Sequence, residues 1–275
     1  MSGQRASARA HLAADGTRLA VHETGAGAAT VFQHGLCGDA RQPYELFPHR
    51  AGRRLVTLEC RAHGESATGP EDAFSIARFA DDLAGFMDAE RLGRAVVGGV
   101  SMGAAVALRL AVRRPDLVRA LVLVRPAWVA DAAPANMRPN AEAGRLLAHH
   151  PPGRARALFE ASGTAARLAA DAPDNLASLR GLFSREPAAV TAALLRAIAA
   201  DGPGLTEGEV AAVRVPALVV GCGRDVVHPL ATAERLAALL PHPRLVRVTP
   251  KGDDRRRHVG EVCAALDAFL LEVAL

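Results

Sequence analysis

The chain has 275 residues, half of them hydrophobic and only 4% aromatic, which is enough for one large α/β domain with a sizeable core. Its formal net charge of +4 is spread among 29 acidic residues, and no basic stretch is interleaved with aromatic side chains, so a nucleic-acid surface is excluded. No apolar stretch reaches membrane-spanning length without a charge or a proline, so no membrane partner is expected.

The cysteines indicate the compartment. They are scattered along the chain, with no C-x-x-C pair and no zinc-ligand spacing: Cys37, Cys60, Cys222 and Cys263. We interpret them as free thiols in a reducing environment. No N-terminal segment combines a basic head with an apolar run, as a signal peptide does. The sequence therefore predicts a soluble cytoplasmic protein with no metal and no cofactor.

In chain order, short apolar runs alternate with segments of helical periodicity. Strands are predicted at residues 18–22, 30–33, 55–58, 95–97, 121–124, 216–220 and 244–248. Helices are predicted at residues 43–48, from residue 75 to about 86, at 104–112 and from about 258 to 271. This alternation predicts an α/β fold with a mostly parallel, doubly wound sheet that is covered on both faces.

The alternation of strands and helices stops between Pro126 and about Gly208. That stretch has no convincing strand and consists of Ala/Leu/Arg-rich segments divided by prolines. Regular apolar spacing favours helices over the alternative, a flexible low-complexity linker. We therefore predict a core in two parts, residues 1–125 and 209–275, and a helical insertion at residues 126–208.

One motif carries the chemistry. Gly99, Ser101 and Gly103 form a G-x-S-x-G pattern between the strand at residues 95–97 and the helix at residues 104–112. A serine on so sharp a strand-to-helix turn sits in strained backbone and needs neighbours without a Cβ. The following helix N-terminus points its N–H groups at the hydroxyl. The alternative is an ordinary glycine-rich turn, but the flanking pattern favours a nucleophile.

A nucleophilic serine needs backbone donors that hold an oxyanion. The loop at residues 34–38 follows the strand at residues 30–33 and is bracketed by glycines. Its Leu36 amide is one candidate donor. The amide of Met102, one residue after the serine, is the other.

An acid is expected at the end of another strand. Asp225 follows the buried strand at residues 216–220, at the carboxyl edge where open α/β sheets place ligands. We predict that Asp225 orients the base. The alternative is a helix cap or a turn residue, because aspartate favours such positions.

Ten histidines compete for the role of base. In this chain order the base should follow the acid. His258 lies after the last strand and directly before the last helix, in a loop that could bring it over the serine, and we predict it as the base. The other candidates are assigned to a turn, a helix exit or the insertion: His228, His242, His149 and His150.

These motifs together resemble the α/β-hydrolase superfamily over nearly the whole chain. The segment at residues 61–66 resembles the R-G-H-G-x-S loop of that family, and residues 99–103 match its nucleophile elbow. The resemblance implies a Ser101–His258–Asp225 triad, no metal, and a helical cap between the sixth and seventh strands.

The chain also departs from the family pattern. Glu59 stands where many members carry an aspartate, and Ala62 replaces a glycine. Asp253 and Asp254 crowd the histidine loop, so either could replace Asp225 as the orienting acid.

The reaction is narrowed by exclusion. A serine nucleophile argues against epoxide hydrolases and haloalkane dehalogenases, and a short, aromatic-poor cap favours a small ester, lactone or amide cleaved through an acyl-enzyme. We expect His34, Arg125 and Trp128 to bind this small-molecule substrate, with Arg125 gripping a substrate carboxylate. The alternative for Arg125 is solvent or an acid of the cap.

Two other functions stay open at this stage. One is a C–C bond hydrolase of acidic ring-cleavage products, and the other is a hydrolase-fold receptor for a small molecule. The chain is a monomer or a homodimer.

Overall fold

In the computed structural model, which describes residues 7–273, strands and helices alternate as expected. The strands are β1 Ser7–Leu12, β2 Arg18–Gly25, β3 Ala28–Gln33, β4 Arg53–Leu58, β5 Ala95–Val100, β6 Val118–Val124, β7 Ala217–Cys222 and β8 Pro243–Val248. The helices are α1 Arg41–Leu46, α2 Ile76–Ala89, α3 Met102–Arg113, α4 Arg138–His149, α5 Pro152–Glu160, α6 Gly163–Asp171, α7 Pro173–Leu182, α8 Ala188–Ala200, α9 Glu207–Ala211, α10 Leu230–Leu239 and α11 Arg255–Val273.

The strands form one eight-stranded sheet in the order β1-β2-β4-β3-β5-β6-β7-β8. The pairs β1–β2 and β2–β4 are antiparallel, and every pair from β4 to β8 is parallel. Every residue of β5 and β7 is buried, as expected for parallel strands covered on both faces. The predicted α/β fold is confirmed. β1 was missed because its sequence, SARAHL, has no apolar run.

Helices cover the sheet on both faces. Ile76, Phe79, Leu83 and Phe86 of α2 have the predicted helical spacing, and all four are buried against one face. On the other face, apolar side chains of α11 pack against residues of the sheet. No helix within residues 7–273 has the length and apolar character that a membrane span requires.

The segment predicted as an insertion, residues 126–208, contains helices α4–α8 and lies between β6 and β7. We call it the inserted segment. It has a small core of its own, in which the rings of Phe159 and Phe183 lie 5.4 Å apart. Gly144 of α4 lets α8 approach closely, since a Cβ there would lie 2.8 Å from the Cβ of Leu195.

A buried charge network ties the start of the chain to α2. The guanidinium of Arg61 is fully buried and donates to both carboxylate oxygens of Asp82, at 2.6 and 2.8 Å. It also donates to Asp15 and to the hydroxyl of Thr17. Such a paired guanidinium avoids the cost of a lone buried charge.

Removal of this guanidinium should destabilise the fold. We expect Arg61→Met to lower the free energy of unfolding by about 3–5 kcal/mol, because Asp82 is left buried and unpaired. Urea denaturation measures the change. The matched control is Arg114→Met, which removes an exposed guanidinium paired with Asp88 and Asp116 and should cost less than about 1 kcal/mol. Equal losses in the two variants would contradict the burial argument.

Candidate active site

Ser101 occupies the sharp turn between β5 and α3. Its backbone is strained, with φ 56° and ψ −113°. A Cβ on Gly99 would lie 2.5 Å from the carbonyl carbon of Gly103, and a Cβ on Gly103 would lie 2.5 Å from the carbonyl oxygen of Gln33. Only glycine therefore fits on either side of the turn, which agrees with the interpretation of the G-x-S-x-G pattern.

The side chain that meets Ser101 is His228. The hydroxyl oxygen of Ser101 lies 2.8 Å from His228 Nε2. On the other side of the ring, His228 Nδ1 lies 3.0 and 3.1 Å from the carboxylate oxygens of Asp225. A carboxylate can only accept, so Nδ1 carries the proton and Nε2 accepts from the serine hydroxyl. Hydroxyl, imidazole and carboxylate thus form one continuous hydrogen-bond chain.

The expected contact between His258 and Asp225 is absent, and this prediction is wrong. Helix α11 begins at Arg255, earlier than predicted, because the Asp254 carboxylate accepts the amide N–H of Arg257 at 2.9 Å and caps the helix. His258 therefore lies inside the helix instead of in a loop. It is buried, and its Nδ1 donates to the carbonyl of Thr249 at 2.8 Å.

Asp253 and Asp254, the two alternatives to Asp225 as the orienting acid, lie just before α11 and have other partners. Asp254 is the cap of α11, and Asp253 forms an ion pair with the exposed Arg224. Neither carboxylate approaches His228 within hydrogen-bond distance. Burial lowers the pKa of His258, so its imidazole is held neutral in this position.

Asp225 and His228 meet because they share one turn between β7 and α10. The Asp225 carboxylate accepts the backbone N–H of His228 at 2.9 Å, a local bond that aspartate commonly makes to the chain just ahead of it. This bond places imidazole and carboxylate side by side. The D-x-x-H spacing at Asp225 was the signal in the sequence. The prediction placed His228 in a turn, and this turn brings its imidazole next to the Asp225 carboxylate.

The electrostatic surroundings keep Asp225 ionised. Its side chain is fully buried, and burial alone raises the pKa of a carboxyl group. The opposing effects of His228 and the Arg125 guanidinium are larger, so the pKa of Asp225 lies well below its usual range. Arg125 Nε donates to one Asp225 oxygen at 2.7 Å, and a second guanidinium nitrogen bonds the same oxygen.

The prediction that Arg125 grips a substrate carboxylate is wrong in this structure. Its guanidinium is bound by Asp225 and also donates to Asp174 of α7, at 3.2 Å. The alternative considered for Arg125, pairing with an acid of the inserted segment, is the one observed. Arg125 borders the cavity beside Ser101, but two protein carboxylates already balance its charge.

His34 and Trp128, also expected to bind substrate, do not line that cavity. His34 is fully buried, with Nδ1 donating to the carbonyl of Gly35 at 2.9 Å and Nε2 accepting the amide of Cys60 at 3.0 Å. Trp128 is also buried, and its indole N–H donates to the carbonyl of Asp201 at 2.9 Å. Both side chains support the loops around the site, so these two predictions are wrong as well.

The inserted segment holds the turn that carries Asp225 and His228. The side-chain oxygen of Asn175, near the start of α7, accepts the backbone N–H groups of Val226 and Val227 at 2.9 and 3.0 Å. Asn175 is buried, so both bonds are shielded from water. The role of Asn175 is not predictable from the sequence, because nothing in the local pattern connects residue 175 with residue 226.

The predicted oxyanion donors are the backbone amides of Leu36 and Met102. Leu36 lines the same cavity as Ser101, and its amide has no acceptor among residues 7–273. The neighbouring Gly35 amide donates to Gln42 Oε1 at 2.6 Å, which pins the loop. Met102 is the first residue of α3, where an amide has no acceptor within its own helix. These two amides therefore remain candidate donors to an oxygen bound beside Ser101.

The cavity beside Ser101 has a volume of about 250 Å³ and includes Leu36, His228 and several residues of α7. A second cavity of about 310 Å³ adjoins it and reaches His258. The two cavities share five lining residues: Gly38, Gln42, Val100, Arg125 and Lys251. Within residues 7–273, no group of three or more His, Cys, Asp or Glu side chains is arranged to hold a metal ion.

Comparison with known proteins places the chain in a family. The family model described as alpha/beta hydrolase fold matches residues 30–254. The chain is 34% identical to the sn-1-specific diacylglycerol lipase ABHD11 of Mus musculus over 123 residues, 44% of this chain and 38% of that protein. It is 33% identical to the 2-(acetamidomethylene)succinate hydrolase of Mesorhizobium japonicum over 108 residues, 38% of each chain. The chain thus matches only about two fifths of the length of these curated relatives.

A solved structure supports the fold over a longer stretch. The thermophilic esterase from Thermogutta terrifontis, solved with malate bound, superimposes with a TM-score of 0.75 and 22% identity, covering 98% of this chain and 99% of the other. An identity this low is evidence for the fold alone. The family match over residues 30–254 shows that the chain belongs to the α/β-hydrolase family.

Proposed function

We propose that this protein is a serine hydrolase that cleaves a small ester, lactone or amide through an acyl-enzyme. The observation that carries the proposal is the hydrogen-bond chain from Ser101 through His228 to Asp225, built on a strained turn. In this mechanism His228 Nε2 takes the hydroxyl proton as the serine oxygen attacks the substrate carbonyl. The same nitrogen then protonates the leaving group, which departs and leaves Ser101 acylated. In the second half of the reaction His228 Nε2 takes a proton from water as the water oxygen attacks the acyl carbonyl, and it returns the proton to the serine oxygen as the acid is released.

Asp225 serves the base in two ways in this mechanism. Its carboxylate keeps the proton on His228 Nδ1, so that Nε2 is free to accept, and it stabilises the imidazolium that forms. The low pKa of Asp225 keeps the carboxylate charged throughout the physiological pH range. The amides of Leu36 and Met102 would hold the oxyanion of the tetrahedral intermediate.

The size of the site favours a small substrate. The cavity that contains Ser101 has a volume of about 250 Å³, and with the adjoining cavity of about 310 Å³ the site lies in the lower part of the range of about 300–1,000 Å³ typical of pockets for drug-sized ligands. The names of similar proteins point to hydrolysis too: an esterase and a hydrolase of an acetamidomethylene succinate. We also propose a cytoplasmic location, on the basis of four free cysteines.

The nucleophile is tested first. We expect Ser101→Ala to lower kcat for 4-nitrophenyl acetate by at least about a thousandfold, because the nucleophile is lost and only the oxyanion donors remain. Labelling by a fluorophosphonate probe should disappear in the same variant. Near-normal turnover by Ser101→Ala would overturn the mechanism, and labelling without turnover of any ester would favour a small-molecule receptor.

The base is tested by the same substitution at two histidines. His228→Asn should lower kcat by at least about a hundredfold, the usual contribution of a positioned base. His258→Asn keeps a donor for the Thr249 carbonyl and should change kcat by less than about threefold, since it acts only through the fold. Circular dichroism checks that both variants fold. A larger loss in His258→Asn than in His228→Asn would restore the base expected from the resemblance.

The support from the inserted segment is tested at Asn175. Asn175→Ala leaves two buried N–H groups without an acceptor, which costs about 1–3 kcal/mol and loosens the turn that carries the base. We expect kcat to fall more than KM rises, and fluorophosphonate labelling to slow in parallel. Asn175→Asp retains an acceptor oxygen and should keep more activity. Equal losses in the two variants would show that the acceptor is not what matters.

A further inference from the structure

Lys251 stands where the two cavities meet. It lies in the loop between β8 and α11, and it lines both the cavity that contains Ser101 and the one that reaches His258. The second cavity is also lined by Val100, the residue before the serine. The second cavity therefore lies between the Ser101 turn and His258, and the side chain of a base at position 258 would have had to cross it. Because α11 keeps His258 back, this space is open to a ligand.

The other cations around these cavities are already paired. Arg125 is bound by two carboxylates. Arg41 and Arg255 line the second cavity, and each forms an ion pair with a neighbouring carboxylate. Lys251 forms no ion pair with any carboxylate in the part of the chain that the structure describes. Once the pairs are set aside, Lys251 is the cation that is left to meet a ligand.

An unpaired ammonium in this position is costly. Lys251 is half-buried, and this burial, together with the nearby positive charge of Arg125, lowers its pKa. A ligand anion would supply the missing partner and stabilise the charged form. The carboxylates of Asp174 and Asp225 also lie near, but they are bound by Arg125, and they would repel a doubly charged group. The surroundings therefore suit a single negative charge.

We propose that Lys251 binds a carboxylate of the substrate at the junction of the two cavities. This inference rests on the proposed function and narrows it to small esters, lactones or amides that carry a carboxylate a few bonds from the scissile carbonyl. The carbonyl is then held beside Ser101 in the first cavity, and the carboxylate extends toward the second. Lys251 thus binds the substrate carboxylate that the sequence predicted for Arg125.

Two substrates that differ by one negative charge and one methyl group test the proposal. They are mono-4-nitrophenyl glutarate, which is an anion, and methyl 4-nitrophenyl glutarate, which is neutral. The release of 4-nitrophenolate is the readout for both. We expect Lys251→Met to lower kcat/KM for the anion by about ten- to a hundredfold more than for the diester, the effect of one charge-assisted hydrogen bond. Lys251→Arg should restore part of the preference. Arg256→Met removes an exposed charge nearby and should leave the ratio unchanged.

A binding measurement separates this proposal from the proposed function. Monomethyl glutarate, which carries a single negative charge, is titrated by calorimetry into Ser101→Ala and into the double variant that also carries Lys251→Met, and the double variant should bind at least about tenfold more weakly. If the wild type cleaves neither ester, the hydrolase function fails, but the titration still decides the role of Lys251. Equal binding of monomethyl glutarate by the two variants, or equal losses of kcat/KM on both esters, would overturn the proposal. Lys251 would then only balance the charges of Asp174 and Asp225.

Discussion

The buried carboxylate of Asp225 is the group on which the rest of the site depends. A charge out of contact with water must be paired, and here one oxygen is held by Arg125 while the carboxylate also meets the ring of His228. Arg125 reaches on to Asp174, so the pairing extends from the end of β6, through the turn after β7, to helix α7. One electrostatic requirement thus links the sheet, the base and the inserted segment.

This linkage gives the inserted segment a second role besides covering the cavity. Asn175 holds the turn after β7 through two backbone bonds, while its neighbour Asp174 meets Arg125. Both residues lie at the start of α7. A movement of that helix would therefore change the position of the His228 imidazole relative to Ser101, which makes access to the site and its organisation parts of one structural unit.

The cap of α11 explains the distribution of roles along the chain. Because Asp254 starts the helix before His258, the loop after β8 presents Lys251 at the cavities instead of an imidazole. The imidazole is supplied by the turn after β7, where His228 follows Asp225 closely enough to share a local backbone bond. Acid and base then come from a single turn, and the last loop is available for contacts with a ligand.

The sequence by itself determined the sheet apart from its edge strand β1, the helical insertion and the strained turn at Ser101, because each depends on local features: apolar periodicity, proline spacing, and glycines where a Cβ would clash. It also located Asp225 at the end of a buried strand. Only the tertiary structure decided which histidine meets Ser101 and which of the cations lining the two cavities is left without an ion pair. Those outcomes depend on a helix cap at Asp254 and on ion pairs between residues far apart in the chain, which no local pattern reports.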